Sequence, residues 1–330
     1  MRESRQPDGG VRAVVPSALP VVHVLLATFN GERYLREQWA SLEHQEGVGV
    51  VVHVGDDGST DGTPGLLQEL AAAPRGAVRG VEWLLAPPRR SAARSFLLLL
   101  ASALDRSPDA QWFAYCDQDD VWLPGKLAAA VGAVASHGPG ERPVLYGGRS
   151  IAVDAGNREQ GLSPLFPHPP SFRNALVQNI MGGNTMVMNR SAARLVAAAR
   201  ADVTWHDWLT YQLVSAAGGF IHYDRQPFLR YRQHGENVMG SNRRWAARWV
   251  RLVAMLRGDF GGWNRQNVAA LRAQADAFTE DSRRRLDAFG RAREAATPWA
   301  RMAWLRRSGA FRQRPAEQAM LWLACILKRM

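Results

Sequence analysis

Three aspartates are crowded into the segment YCDQDDVW, residues 115–122, directly after an apolar run that predicts a buried strand. The carboxylates of Asp117, Asp119 and Asp120 repel one another, so we expect a bound cation to neutralise them. Mg²⁺ or Mn²⁺ prefers oxygen ligands and often bridges one or two carboxylates to substrate phosphates. In the alternative interpretation, Asp119 or Asp120 only caps the helix predicted to begin near Pro124.

A second acidic cluster, GDDGSTDGT, also follows a predicted strand. In its simplest interpretation it is a strand-to-helix turn in which Ser59 or Thr60 caps the helix and Gly58 has a positive φ. Asp56 and Asp57 exceed what a cap requires, and a carboxylate there could accept hydrogen bonds from a pyrimidine ring and a ribose hydroxyl. The segment is neither a Walker loop nor GxGxxG, which argues against a dinucleotide cofactor.

The elements around these clusters predict a parallel sheet flanked by helices, because apolar runs alternate with helix-like segments. The predicted strands of the first half are Val21–Ala27, Val50–Val54, Val81–Leu85, Trp112–Cys116 and Val144–Ile151. The two acidic clusters and the segment TFNGE all lie at carboxyl ends of predicted strands, where open parallel sheets bind ligands. Their coincidence there is stronger evidence for a binding site than any one motif.

The second half of the chain is more mixed. Residues 155–172 predict an irregular connection, and Phe172–Met181 predicts a helix. The further predicted strands are Thr185–Met188, Phe220–Tyr223 and Phe228–Arg232, and a helix is predicted to begin at Asp207. Everything after Ser241 looks helical.

The composition is that of a globular protein. The chain has 330 residues, of which 46% are hydrophobic and 22% charged. Cys116 and Cys325 have no metal-ligand spacing, so we expect reduced thiols and a cytoplasmic location. Residues 1–19 resemble a flexible lead rather than a signal peptide. No window reaches the roughly 20 apolar residues of a membrane span.

Six segments together resemble the inverting glycosyltransferases of family 2, and in particular their bacterial rhamnosyltransferase-like branch. They are ATFNGERYLREQWASL, VGDDGSTDGT, YCDQDDVWLPGKL, QNIMGGNTMVMNR, HDWL and YRQHGENVMG. They occur in this order with the family's spacing, over residues 21–241. The resemblance implies a GT-A fold, a nucleoside-diphosphate sugar donor and a divalent cation, Mg²⁺ or Mn²⁺.

The resemblance also implies roles for individual residues. Asp207 would be the general base, and Asp119 would hold the metal, with His234 reaching the metal or the diphosphate. The predicted nucleotide-sugar-binding residues are Thr28, Phe29, Asn30, Glu32, Asp57, Arg94, Asp117 and Gly183. Taken alone, Asp207 could cap its helix, His234 could be an ordinary surface residue, and Gly183 could serve a tight turn.

One segment departs from the family pattern. Relatives commonly have an Asn-x-Gly motif and then Lys-Asn-Phe between the third strand and its helix, where this chain reads APPRRSAARSF. Arg94 and Phe96 keep the cation and the ring of the second motif, whereas Ser95 replaces the asparagine. The contact of Arg94 with the donor is therefore in doubt.

The predicted function is inverting transfer of a sugar to a saccharide or lipid-linked acceptor in bacterial surface polysaccharide synthesis. The favoured donor is dTDP-L-rhamnose, and a UDP sugar is the alternative. A nucleotidyltransferase and a non-catalytic sugar-nucleotide-binding protein are the rival functions. The first would carry a Gly-rich loop ended by Arg or Lys after its first strand, which TFNGERY lacks. In the second, Asp207 would be expendable.

The last ninety residues differ in charge from the rest. Of the net charge of +11, residues 241–330 contribute 19 Arg and Lys against 7 Asp and Glu, and they hold six of the twelve tryptophans. We expect a nucleotide-binding half over 20–150, an acceptor-binding half over 151–240 and a basic helical extension over 241–330. The extension would either lie on an anionic membrane at its cytoplasmic face or pack on the catalytic domain. No motif supports nucleic acid as a partner.

Overall fold

The computed structural model describes residues 19–137, 140–233 and 259–330. Its strands are β1 (Val21–Thr28), β2 (Gly49–Asp56), β3 (Val78–Trp83), β4 (Trp112–Cys116), β5 (Val121–Trp122), β6 (Val144–Gly148), β7 (Ile151–Val153), β8 (Glu159–Leu162), β9 (Val187–Asn189), β10 (Phe220–Asp224) and β11 (Leu229–Arg232). Its helices are α1 (Glu32–Glu43), α2 (Thr63–Ala72), α3 (Ala92–Arg106), α4 (Lys126–Ala135), α5 (Phe172–Ala175), α6 (Arg190–Ala198), α7 (His206–Ala216), α8 (Asp259–Ala273), α9 (Glu280–Glu294), α10 (Pro298–Ser308) and α11 (Pro315–Ile326).

A mostly parallel sheet forms the centre of the described structure. Its strands lie in the order β10-β6-β9-β4-β1-β2-β3, with β9 antiparallel to β4 and β6. The inner strand β1 is buried along nearly its whole length between parallel neighbours, which explains its continuous apolar run. Thr28 pairs with Asp56, and Leu26 pairs with Cys116, so the carboxyl ends of β1, β2 and β4 meet at one edge. The predicted α/β fold class is confirmed.

Helices cover both faces of this sheet. Trp39 of α1, Leu67 of α2 and Leu127 of α4 are completely buried against one face. Phe96 of α3 and Leu209 of α7 are buried against the other. The edge where these strand ends meet is thus held between two layers whose apolar side chains exclude water from the sheet.

The C-terminal helices continue the second of these cores. Leu271 of α8, Phe289 of α9, Leu305 of α10 and Leu321 of α11 are buried in the same apolar cluster as Phe96. Fully burying one such side chain stabilises a protein by about 1.5–3 kcal/mol. The described part of the extension is therefore packed on the helical layer that contains Phe96, and helices end the described chain as predicted.

Several element boundaries differ from the prediction. The third strand lies at Val78–Trp83, about three residues earlier than expected, and β8 occupies part of the segment predicted to be irregular. The predicted helix over Phe172–Met181 ends at Ala175. The carbonyl oxygen of Ala175 accepts hydrogen bonds from the Trp208 and Gln212 side chains, at 2.7 and 3.0 Å, instead of continuing the helix.

The predicted strand Val144–Ile151 is divided between two sheets. Its first part is β6 in the central sheet, and the chain then turns to β7 in a smaller sheet of order β5-β11-β7-β8. At the turn, the backbone N–H of Ser150 donates to the Ser163 hydroxyl at 2.9 Å. This smaller sheet brings β11 beside β5, directly after the three crowded aspartates.

Two buried histidines face each other across β1 and β2. Nδ1 of His23 lies 2.8 Å from Nε2 of His53. Burial lowers the pKa of both to about 4, with the charge of His53 adding to the effect on His23 and that of Arg106 to the effect on His53. Glu82 and Arg190 are the other charged groups that act on His23, so both rings are neutral at pH 7.

Both cysteines, Cys116 and Cys325, are buried free thiols, as predicted. Within the residues that the structure describes, no helix has both the length and the apolar character needed to cross a membrane.

Candidate functional site

The turn after β2 is organised by Asp56. Its carboxylate accepts hydrogen bonds from the Thr28 hydroxyl at 2.9 Å and from the backbone N–H of Ser59 at 2.8 Å. It also accepts a hydrogen bond from the Ser59 hydroxyl at 2.5 Å. Helix α2 begins after Gly62, which makes no side-chain cap, so the predicted cap by Ser59 or Thr60 is wrong. Asp56 therefore joins the ends of β1 and β2.

Asp57 faces the loop that follows β3. Its carboxylate accepts hydrogen bonds from the backbone N–H groups of Arg89 and of Ser91, the latter at 3.1 Å. Gly58 has the predicted positive φ, at 86°, and a Cβ there would lie 2.7 Å from Pro88. The predicted pyrimidine-binding carboxylate thus already holds a loop across the end of the sheet.

The segment TFNGE connects the ends of β1, β2 and β4. The backbone of Phe29 both donates to and accepts from the Gln118 amide, at 2.8 and 2.9 Å, while its side chain is 54% exposed. Asn30 has a φ of +48°, and its side-chain oxygen accepts the backbone N–H of Thr60 at 2.8 Å. The Glu32 carboxylate accepts a hydrogen bond from the backbone N–H of Gly62, directly before α2, at 2.8 Å. These contacts hold the segment that carries the exposed Phe29 ring at this edge of the sheet.

The turn after β4 contains one deeply buried acid. Asp120 has no exposed surface and accepts hydrogen bonds from the Asn184 amide at 2.5 Å and from the backbone N–H of Arg232 at 3.1 Å. Burial raises its pKa well above the ordinary range, and the charges of Asp119 and Asp117 add to this. Asp120 therefore anchors the turn, while half-buried Asp117 and Asp119 lie nearer the surface.

Arg232, at the end of β11, fixes this turn from behind. Its guanidinium donates to the carbonyl of Asp119 at 2.8 Å, to the carbonyl of Ala155 at 2.9 Å and to the Glu37 carboxylate at 2.5 Å. It also lies over the ring of Tyr34, 4.8 Å from the centroid. Arg232 is 2% exposed. The sequence analysis quoted its motif but did not identify this role.

Lys126 lies buried behind the acids, at the start of α4. Its Nζ is 3.4 Å from the centre of the Trp122 ring. Burial lowers its pKa to about 7, although the nearby Cys116 and Asp120 act in the opposite direction. Gly125 precedes the helix and makes no side-chain cap, so the alternative that Asp119 or Asp120 caps this helix is wrong.

Asp207 lies in the first turn of α7, and its carboxylate contacts the turn that precedes β9. Its carboxylate accepts the backbone N–H groups of Trp208 at 2.7 Å and Gly183 at 3.2 Å. It is the second residue of the helix, and the N-cap position makes no side-chain bond, so Asp207 is not a cap. Burial raises its pKa to about 6. Burial, and then the charges of Asp119 and Asp207, raise the pKa of Asp117 to about 7.

His206 is a site residue that the sequence analysis missed. Its ring stacks on Phe96 at 4.2 Å and meets Tyr115 edge-on at 4.6 Å. Burial lowers its pKa to about 3, so the imidazole is neutral at pH 7. Its buried Nε2 makes no hydrogen bond and lies 2.7 Å from where a Cβ at Gly183 would be. The HDWL motif contained this residue, but its spacing gave no sign of the stacking.

Arg94 forms an ion pair with a residue that is distant in the sequence. Its guanidinium makes two hydrogen bonds to the Asp202 carboxylate, at 2.9 and 2.6 Å, and both side chains are largely exposed. This ion pair joins the start of α3 to the loop before α7. His234, the other predicted cationic contact, lies outside the described residues.

The residues present are compatible with a divalent cation. Asp117 and Asp119 provide hard carboxylate oxygens beside the buried Asp120. Burial, and then the charges of Asp119 and Asp207, raise the pKa of Asp117. Within residues 19–137, 140–233 and 259–330, no group of three His, Cys, Asp or Glu side chains is arranged to hold a metal. A cation here would therefore need ligands from outside this set, such as diphosphate oxygens.

Comparison with known proteins finds similar sequences and structures. The family model described as Glycosyl transferase family 2 matches residues 23–193. The dTDP-rhamnosyl transferase RfbG of Shigella flexneri is 24% identical over 267 residues, 78% of this chain and 86% of that protein. S. aureus TarS 1-349 in complex with UDP-GlcNAc matches 87% of this chain and 89% of its own, at 16% identity and a TM-score of 0.48. The mannosyltransferase PcManGT from Pyrobaculum calidifontis, in complex with GDP-Man and Mn²⁺, matches 89% and 87%, at 20% identity and a TM-score of 0.47.

Proposed function

Because this chain belongs to glycosyl transferase family 2, we propose that it transfers a sugar from a nucleoside diphosphate to an acceptor hydroxyl with inversion, using Asp207 as the general base. The observation that carries this proposal is the position of Asp207. Its carboxylate is held by two backbone N–H groups beside Asp117, at the edge where the carboxyl ends of β1, β2 and β4 meet.

Asp207 is suited to remove a proton at neutral pH. A pKa of about 6 leaves the carboxylate ionised at pH 7 and still basic enough to accept a proton in the transition state. The acceptor oxygen forms a bond to the anomeric carbon as its proton passes to Asp207. The bond from that carbon to the diphosphate oxygen breaks with its electron pair, on the opposite face of the sugar, so the centre inverts.

We propose that the donor occupies the cleft formed by the ends of β1, β2 and β4, in a GT-A-type nucleotide-binding half over residues 20–150. Asp57 would bind the pyrimidine, Asp117 the ribose and sugar, and Glu32 the ribose. The segment around Thr28, Phe29 and Asn30 would line the nucleoside, and Arg94 and Gly183 would complete the predicted set. The relative RfbG, a dTDP-rhamnosyl transferase, favours dTDP-L-rhamnose over a UDP sugar as the donor.

Asp119, with His234, would hold the Mg²⁺ or Mn²⁺ in this proposal. When bound, the cation supplies Lewis-acid stabilisation of the charge that develops on the departing diphosphate. Arg232 and Asp120 keep the turn that carries Asp119 in place.

The acceptor would bind in the half formed by residues 151–240, next to Asp207. We propose a saccharide or lipid-linked saccharide acceptor, and a role in surface polysaccharide synthesis on the cytoplasmic side of a bacterial membrane. Asp207 lies at the start of α7, which belongs to this half, so the acceptor hydroxyl would reach its carboxylate there.

Asp207→Asn tests the base. The amide keeps the size of the side chain but cannot accept the proton, so kcat should fall by about 100-fold or more. Binding of dTDP or UDP, measured by calorimetry with Mn²⁺, should stay within about twofold because Asp207 does not touch the nucleotide in this proposal. Asp276→Asn, at an exposed aspartate outside the site, is the matched control. Turnover by Asp207→Asn at the wild-type rate would rule out this base and favour a non-catalytic role for the residue.

Asp119→Ala tests the metal separately. The variant should lose the gain in donor affinity that Mn²⁺ gives the wild type, while metal-free nucleotide binding persists. A thermal-shift series of dTDP and UDP sugars, with and without Mn²⁺, would identify the nucleotide. Equal Mn²⁺ dependence in wild type and variant would remove Asp119 from the metal site.

A further inference from the structure

The tryptophans of the basic extension differ in how far their rings are buried. Trp263 packs edge-on against Trp205 at 5.7 Å, Trp304 lies under the Arg291 guanidinium at 4.8 Å, and Trp322 is partly buried on the core. Trp299, by contrast, is 80% exposed. Packing on the catalytic domain explains the first three rings, and Trp299 requires another explanation.

Trp299 is accompanied by other exposed apolar side chains. Leu323, Ile326 and Leu327, at the end of α11, are 43%, 36% and 48% exposed. Their spacing of i, i+3 and i+4 places them on one face of the helix. Large apolar side chains clustered on the surface mark an interaction site more reliably than single exposed ones.

A buried arginine fixes the first turn of α10, which carries Trp299, against the end of α11. The Arg301 guanidinium donates to the carbonyls of Cys325 at 2.9 Å and Ile326 at 2.6 Å, and also to that of Ala296 at 2.9 Å. Arg301 is 6% exposed, so it fixes the start of α10 against the end of α11. We call the resulting surface of Trp299, Leu323, Ile326 and Leu327 the apolar tip.

Cations predominate in the segment that carries the apolar tip. Residues 295–330 contain seven cations and one acid. That acid, Glu317, is turned inward and accepts a hydrogen bond from Gln178 at 2.9 Å. Lys328 and Arg329, which directly follow the apolar tip, are exposed. Glu294, at the end of α9, is paired with Arg272 at 3.5 Å.

We propose that the apolar tip docks on the surface of an anionic phospholipid bilayer. Its leucine and isoleucine side chains would enter the boundary between headgroups and acyl chains, and the Trp299 ring would lie at headgroup level. Lys328 and Arg329 would face the anionic headgroups. The helices would lie on the bilayer rather than cross it. This inference goes beyond the proposed sugar transfer and does not rest on it, because binding is measured without donor or acceptor.

Flotation of the full chain with vesicles tests the proposal. Wild type should bind vesicles of phosphatidylglycerol and phosphatidylcholine more tightly than vesicles of phosphatidylcholine alone, because of the flanking cations. Trp299→Ser should weaken binding to the mixed vesicles about tenfold, and the triple variant Trp299→Ser/Ile326→Ser/Leu327→Ser about 100-fold. Point variants are required because removing the whole extension would expose Leu271 and Phe289 of the core.

Leu162→Ser, at a residue 53% exposed on β8, is the matched control and should bind like wild type. Because all the substituted side chains are exposed, melting temperatures should agree among the variants, and this is checked by circular dichroism. Wild-type binding by the triple variant, or no vesicle binding by the wild type, would overturn the proposal. A wild-type dimer in light scattering that the triple variant abolishes would also overturn it, by showing that a second copy covers the apolar tip.

Discussion

The close approach of Gly183 to His206 makes Gly183→Ala a sharp test of how Asp207 is positioned. The added methyl would lie 2.7 Å from Nε2 of His206 and 3.4 Å from Cβ of Asp207. Moving the histidine ring away would disrupt its stacking on Phe96 and its edge-on contact with Tyr115. The backbone of residues 182–184 must shift instead. The backbone N–H of Gly183, which donates a hydrogen bond to the Asp207 carboxylate, shifts with it.

The expected cost follows from these distances. Inserting a methyl into a packed site typically costs about 1–3 kcal/mol of folding free energy. A displacement of about 1 Å of a catalytic group costs about 100-fold in rate. We therefore expect Gly183→Ala to lower kcat by about 10- to 100-fold and to reduce stability by about 1–3 kcal/mol. Nucleotide affinity should change less than kcat.

The assay compares steady-state sugar transfer and urea unfolding for five proteins: wild type, Gly183→Ala, His206→Ala, the double variant of these two, and Gly132→Ala. Gly132→Ala, where the new methyl meets nothing within 4 Å, is the control and should be neutral or slightly stabilising, as alanine usually is within a helix. The double variant Gly183→Ala/His206→Ala removes the ring that the methyl meets, so its two effects should be non-additive by about 1 kcal/mol or more. Additive effects, or a Gly183→Ala enzyme with wild-type kcat and stability, would refute this account of the site.

Three further predictions concern other parts of the structure. Asp202→Asn should release Arg94 from its ion pair and change the KM for the donor. Stability should change little, since exposed ion pairs contribute about 0–1 kcal/mol. An unchanged KM would show that Arg94 does not contact the donor. Arg232→Met should lower stability by about 1–3 kcal/mol in urea unfolding, because it leaves the carbonyls of Asp119 and Ala155 and the half-exposed Glu37 carboxylate without this donor. Arg232→Lys should recover only part of this, and equal stability of both variants and wild type would contradict that role. The pKa of His23 and of His53 is lower in the folded than in the unfolded state, so the unfolded chain binds more protons in this pH range. The free energy of unfolding should therefore fall by about 2.5 kcal/mol per histidine as the pH drops from 6.5 to about 4. The variant His23→Leu/His53→Leu should flatten this slope, and a parallel slope would show that other groups cause it.

Much of this protein could be predicted from local sequence patterns. The continuous apolar runs of β1, β2 and β4 predicted inner strands of a parallel sheet, since a strand covered on both faces cannot alternate. Polar clusters directly after those runs had to meet at one edge, because parallel strands end on the same side. Family membership, the α/β class and the meeting of Thr28, Asp56 and Asp117 at that edge all follow from such short-range information.

Tertiary structure alone decided how the clusters are held. Arg232 reaches Asp119 across 113 residues, and Arg94 pairs with Asp202 across 108, and neither contact has a periodic signal along the chain. His206 acquires its neutral, stacked state from α3 and β4, which are distant in sequence. The tryptophans of the basic extension looked equivalent in sequence, yet packing buries part of Trp304 and leaves Trp299 exposed. Pattern along a chain specifies which face of an element is apolar, whereas the partner of a given side chain depends on how complete elements pack.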